Sequence, residues 1–153
     1  MNKVSVNIKK FNPKAVVPFK TYNSDFCFDC VATSCEEVAP NVYKYGLGFG
    51  LQLAEPLDEE TADEVNFCFT IRPRSSVWKT GMVLSNSIST IDFGYTGEIF
   101  MVFYHVMPNM PRYQVGDKIG QVHLSMTGSL QFNEVNEFSE TERGDGGYGS
   151  TGK

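Results

Sequence analysis

A chain of 153 residues, 41% hydrophobic and 20% charged, is one domain with enough apolar mass for a core. Its 13 basic and 18 acidic residues leave a net charge of −5, which argues against nucleic-acid binding by broad phosphate neutralisation but not against capture of one nucleotide. No run approaches the roughly 20 apolar residues of a membrane span, and the first residues carry no apolar signal region, so a cytoplasmic protein is expected.

Val4, Val6 and Ile8 alternate with polar residues and predict a first strand. Cys27 and Cys30 have the CxxC spacing of zinc and redox sites. Nothing completes a tetrahedral set, because Cys35 is too close and His105 and His123 are remote. The expectation is four reduced, mostly buried thiols, with Asp29 a strand-end residue. Residues 42–53, rich in aromatics, leucine and glycine without a helical period, read as strand. The acidic stretch 56–63 reads as a short helix or a solvated loop. Over 64–71, Val65, Phe67, Phe69 and Ile71 fall on one face of a strand.

A helical turn or two is predicted after Arg74, with Ser75 and Ser76 as caps. A hydroxyl beside an arginine at such a start also suits a phosphate. Residues 86–98 read as a strand, a turn at Gly94 and Gly97, and a second strand. A hairpin with free backbone N–H and C=O groups can pair with a pyrimidine edge. Within it Asp92 reads, on its own, as a turn residue bonding its own backbone. Residues 99–106 are apolar on both faces, as in a strand between two layers. Residues 119–126 and 130–138 complete the strands, with turn signals such as Asn12-Pro13, Pro108-Asn109 and Gly116-Asp117 between them. Many short strands predict an all-β sandwich or barrel.

Residues 139–142 lead to the tail Arg143-Gly144-Asp145-Gly146-Gly147-Tyr148-Gly149-Ser150-Thr151-Gly152-Lys153, in which five of eleven residues are glycine, too few apolar groups for a core. It reads either as a solubilising tail or as an anion nest, with Arg143, Ser150 and Thr151 as donors and Tyr148 as a flat face for a base.

The tail resembles the C-terminal motif of the trimeric dUTPases, Arg-Gly-x-Gly-Gly-Phe-Gly-Ser-Thr-Gly, with Tyr148 at the aromatic position. Four further segments are similar to that family's motifs in the same order: Cys27-Phe28-Asp29-Cys30-Val31-Ala32, Pro73-Arg74-Ser75-Ser76 through Gly81, Asn86 through Glu98, and Gly116-Asp117-Lys118-Ile119-Gly120-Gln121-Val122. The resemblance implies a jelly-roll-like (β-clip) fold and a homotrimer, with a core at 1–138 and a C-terminal arm at 139–153 closing as a lid. It implies hydrolysis of dUTP to dUMP and diphosphate, in dUMP biosynthesis and exclusion of uracil from DNA.

In that reading Asp92 activates the attacking water, and Asp29 meets Mg2+ through the ion's waters. Tyr95 packs under the deoxyribose, Asn86 helps hold the substrate, and Tyr148 stacks on uracil. Arg74, Ser75, Gln121, Arg143, Ser150 and Thr151 serve the phosphates, and Ser76, Ile91 and Gly149 complete the substrate-binding set. No direct nucleic-acid or membrane partner is implied. A regulatory protein partner is not readable, nor is a cellular against a viral origin, the latter acting in a host cytoplasm. The alternatives are a dCTP deaminase of the same fold, a nucleotide-gated regulatory binding protein, and a plain structural jelly roll. Ser89 and Gly94 depart from the family's glycine and second aspartate, and the stretches 56–72 and 103–113 also differ.

Overall fold

The computed structural model describes residues 4–54 and 65–144. Within them lie β1 (Val6–Lys10), β2 (Phe28–Val31), β3 (Ser34–Ala39), β4 (Val42–Gly46), β5 (Phe49–Leu53), β6 (Val65–Pro73), a 3-10 turn (Ser75–Lys79), β7 (Met82–Leu84), β8 (Ser89–Asp92), β9 (Phe100–His105) and β10 (Lys118–Gly128). Two antiparallel four-stranded sheets, in the orders β2-β10-β6-β8 and β3-β4-β9-β7, are joined by the antiparallel pair β1-β5. This is the all-β, jelly-roll-like architecture expected.

One apolar cluster holds the layers together. The first sheet contributes Cys30, Phe69, Ile71, Ile119 and Val122, the second Tyr45, Met101 and Phe103, and β5 adds Phe49, Leu51 and Leu53. Each large side chain so buried contributes about 1.5–3 kcal/mol. Gly120 lets the layers approach closely, since a Cβ there would collide with the Met101 side chain. Tyr45 and Phe103 meet edge-on at 5.9 Å, and the buried Tyr45 hydroxyl donates to the Tyr113 carbonyl at 2.8 Å.

Several expectations are corrected. Residues 42–53 are strand as read, divided into β4 and β5 where Gly48 takes a left-handed φ of 74°. In β9, Met101 and Phe103 are buried, but Phe100 and Val102 are half-buried and Tyr104 is exposed, so only one face meets the core. Lys44 covers the Phe100 ring from outside, at 4.1 Å.

Arg74, not a serine, caps the 3-10 turn, and no side chain bonds its open end. The turn is too short to leave a serine much to cap, as the Val77 N–H already reaches the Arg74 carbonyl. The hairpin expected over 86–98 is half a hairpin. β8 pairs with β6, and after its turn the chain passes β5, whose Phe49 carbonyl accepts the Ile99 N–H, and enters β9 of the second sheet. Residues 130–138 form no strand within this chain, and Leu130, Phe132 and Phe138 are 76%, 89% and 91% exposed. All four cysteines are free, but only Cys30 is buried; Cys27 and Cys68 are half-buried and Cys35 is exposed. The stretch 56–63 lies outside the described residues.

Candidate functional site

Three of the sequence motifs converge on Asp29. In β2 its side chain is 5% exposed, and its two oxygens meet four donors. Oδ1 accepts from Arg74 Nε and Gln121 Nε2, both at 3.1 Å. Oδ2 accepts from Lys118 Nζ at 2.9 Å and, weakly, from the Thr21 hydroxyl at 3.5 Å. Burial alone would raise the Asp29 pKa. Hydrogen bonds from Lys118 and Gln121 and the charges of Arg74 and Lys118 outweigh it and hold the carboxyl below its usual range.

The backbone explains the convergence. Gln121 sits opposite Asp29 across the β2–β10 ladder, and the register shifts between Lys118 and Gly120. Strict alternation puts residues 118 and 121 on opposite faces; the irregularity brings both to the same carboxylate. Lys118 and Thr21 were not singled out by sequence. Lys118 lies inside a recognised motif, and only its phase relative to Gln121 hid it. Thr21 is a loop threonine with no local signal.

Asp92 and Tyr95 lie elsewhere, at the far edge of the same sheet. Asp92 ends β8 and is exposed, and its carbonyl accepts the Tyr95 N–H at 2.9 Å. Its carboxylate has no hydrogen bond or salt bridge among the described residues, so the Asx turn that its neighbourhood predicted does not form. The Tyr95 ring folds over Gly97, and its hydroxyl donates to the Glu98 carbonyl at 2.7 Å. Glu98 in turn accepts the Gly48 N–H at 3.0 Å, fixing the turn to the β4–β5 connection. Asp92, Tyr95, Thr90 and Ile91 line an open cleft of about 260 Å³.

The departures from the family pattern have local accounts. Ser89 is buried and donates to Asn86 Oδ1 at 3.3 Å, so it steadies the exposed Asn86 amide. At Gly94 an added Cβ would meet no described residue within 4 Å, so the position opens onto space.

Arg74 and Gln121 are thus together, with the exposed Ser75 and half-buried Ser76 following Arg74. Ile91 is half-buried against the core beside Asp92. Three strand spacings separate β2 from β8, and Arg72, opposite Gln121, is four residues from Cys68, opposite Asp92. With about 4.8 Å per spacing and about 3.3 Å per residue, Asp29 and Asp92 are on the order of 20 Å apart. A single chain therefore does not gather the two clusters around one phosphate. Arg143 is exposed beside a turn in which the Gly144 N–H meets the Thr141 carbonyl. Tyr148, Gly149, Ser150 and Thr151 lie outside the described residues.

For a divalent ion the donor set around Asp29 fits an outer contact and not direct ligation. Both oxygens are engaged and two cations flank them, and only the direction held by Thr21 at 3.5 Å is weakly used. Among the described residues no group of three or more His, Cys, Asp or Glu side chains could hold a metal.

The family model for dUTPase matches residues 60–152. A deoxyuridine 5'-triphosphate nucleotidohydrolase of Clostridium novyi is 33% identical over 146 residues, 95% of this chain and 96% of that protein. One from Helicobacter pylori is 32% identical, covering 97% of each. A dUTPase of Staphylococcus bacteriophage 80alpha, solved with dUpNHpp, superposes with a TM-score of 0.78 at 18% identity, over 97% of this chain and 99% of that one. A dUTPase from phage phi11 of S. aureus, in which coordination of a structural Mg(II) ion is described, superposes at 0.67 with 15% identity, over 89% and 99%.

Proposed function

The chain belongs to the dUTPase family, and on that premise we infer that it is a dUTP diphosphatase, hydrolysing dUTP to dUMP and diphosphate. The observation that carries the reading is the open cleft at the edge of β8. It pairs an unengaged carboxylate, Asp92, with an exposed aromatic ring, Tyr95, across one tight turn. Water held by Asp92 loses its proton to the carboxylate as it attacks the α-phosphorus, a role worth about 10²–10⁴ in rate. Tyr95 lies under the sugar and excludes a 2′-hydroxyl. The outer edge of β8, not used by β6, presents backbone groups to uracil, with Asn86 and Ile91 beside it.

Arg74, Ser75, Ser76 and Gln121 serve the phosphate chain, as do Arg143, Gly149, Ser150 and Thr151 from the arm, residues 139–153, where Tyr148 stacks on the base. A magnesium ion bound with the triphosphate would offset its charge, and Asp29 would hold it through one of its waters.

The site is shared between chains of a homotrimer. Two facts support this: the separation of Asp92 from Arg74 and Gln121, and the exposed apolar segment 130–138, which finds no strand partner among the described residues. Closed symmetry then gives three equivalent sites. The protein acts in the cytoplasm, where its substrate is made. The test is diphosphate release, with magnesium, from dUTP, dTTP, UTP and dCTP. Turnover of dUTP alone is expected. Equal rates on UTP would remove the role of Tyr95, and ammonia released from dCTP would make the protein a deaminase.

A further inference from the structure

Every second residue from Gly46 to Gly50 is glycine, and all three are buried where β4 passes into β5. Of the three only Gly48 takes a left-handed φ, so at Gly46 and Gly50 the backbone itself would admit a side chain. What excludes one is space. A Cβ at Gly50 would stand 2.6 Å from the Gly97 carbonyl oxygen and 3.0 Å from that of Thr96, with the Phe11 ring at 3.1 Å. A Cβ at Gly46 would stand 2.7 Å from Glu98 Oε1 and collide with the Ser34 hydroxyl.

The segment that fills this space is the end of the turn after β8, and three hydrogen bonds fasten it there. Glu98 Oε1 accepts the Gly48 N–H at 3.0 Å. The Leu47 N–H donates to the Ile99 carbonyl at 3.0 Å, and the Ile99 N–H donates to the Phe49 carbonyl at 2.9 Å. The same backbone carries the Tyr95 ring. Its hydroxyl donates to the Glu98 carbonyl at 2.7 Å, and a Cβ at Gly97 would lie only 2.7 Å from Cζ of the ring. The position of the ring is therefore set by how near the backbone at residues 96–98 comes to the three glycines.

A methyl group at residue 50 would have to move the Gly97 carbonyl oxygen from 2.6 Å to an ordinary contact, a displacement of about half an ångström or more. Phe11 is 43% exposed and can swing aside, but the carbonyls are main chain and tied to the bonds at Ile99. Gly50 itself does not line the cleft that Asp92 and Tyr95 share, so whatever it does to a bound nucleotide it does through Tyr95.

We propose that Gly50, together with Gly46 and Glu98, is a positioning element for substrate selection. The glycines form a seat for the turn, the seat fixes the depth of the Tyr95 ring, and that depth sets the room left beside the 2′ carbon of a bound nucleotide. The proposal rests on the reading of this cleft as the dUTP site. A ring displaced from the seat still offers an apolar face to a deoxyribose, so the deoxynucleotide remains a substrate. It no longer fills the space that a 2′-hydroxyl would need, so the ribonucleotide is rejected less. Gly50 thereby determines specificity without meeting the substrate.

The test measures kcat/KM for dUTP and for UTP, with magnesium, in the full chain and in its Gly50→Ala variant. The ratio of the two values should fall about tenfold in Gly50→Ala, the scale of a steric rejection that has been relaxed. A purely structural defect lowers the amount of active protein, which reduces both rates alike and leaves the ratio where it was. If Gly50→Ala does not fold, Glu98→Ala, which removes the acceptor of the Gly48 N–H, should show the same fall, while Glu98→Gln, which keeps an oxygen there, should not. A ratio in Gly50→Ala, or in Glu98→Ala where that variant stands in, that rises or stays within about threefold of the unsubstituted value would overturn the proposal. An unsubstituted protein with no preference for dUTP over UTP is a separate result, which removes the reading of Tyr95 and the proposal with it.

Discussion

Replacing Asp29 by asparagine tests the hub directly. The amide oxygen can still accept from Arg74 and Gln121, but its NH₂ then faces Lys118 Nζ, donor against donor. Removing one partner of a fully buried pair costs about 3–5 kcal/mol. Here Arg74 and Lys118 keep 30% and 32% of their side-chain surface in water and can re-hydrate in part, so about 2 kcal/mol is expected. For a chain of this length that lowers the melting temperature by about 4–8 °C. Adding Lys118→Met should restore about half the loss by removing the opposed cation. The assay is thermal unfolding by circular dichroism at one fixed protein concentration, since the proposed assembly would make melting concentration-dependent. A melting temperature within about 1 °C of the unsubstituted protein would refute the claim that this carboxylate organises the three motifs.

The same group predicts a pH dependence. The folded Asp29 pKa lies below its ordinary 3.8, so its contribution is complete above about pH 4 and is lost as pH falls through the folded value. The stability gap between the unsubstituted protein and Asp29→Asn, followed by urea unfolding, should be constant from neutrality to about pH 5 and close below pH 4. Asp92→Asn should lower kcat by about 10²–10⁴ while leaving binding of a non-hydrolysable dUTP analogue nearly unchanged, as read by calorimetry together with steady-state rates. Mixing Asp92→Asn chains with chains lacking residues 143–153 should recover part of the activity in refolded mixtures, and a complete failure to recover would count against shared sites. Gly94→Asp should change melting by less than about 2 °C, because the added side chain points into open space.

The strands that the sequence announced most clearly are those with one face against the core. β6 carries an apolar residue at every second position from Val65 to Ile71 and came through at nearly its expected length, while β10 extends beyond its expected 119–126 and keeps that alternation only over Val122, Leu124 and Met126. What failed depended on distant partners. Residues 130–138 have the composition of a strand, but no strand among the described residues pairs with them. The two arms of the 86–98 segment look alike, and only the layer crossing at Ile99 separates them. At the site, Asp29, Arg74 and Gln121 were legible as members of motifs. Their meeting at one carboxylate was not, because it depends on the register shift before Gly120. The split between the Asp92 edge and the Asp29 edge is likewise a matter of strand order, which local pattern does not encode.

The segment after β10 has a further consequence for how the protein comes into being. A newly folded single chain presents Leu130, Phe132 and Phe138 to water, an apolar exposure that favours aggregation. In the proposed trimer, finding a partner is a second-order event, whereas the core closes at a rate independent of concentration. Between the two lies an interval whose length is set by how many copies are present. Slow synthesis would prolong that exposed interval for each molecule, while crowded production would raise correct and incorrect strand pairing together. The yield of assembled protein should therefore be decided by the fate of these few residues after the core has already formed.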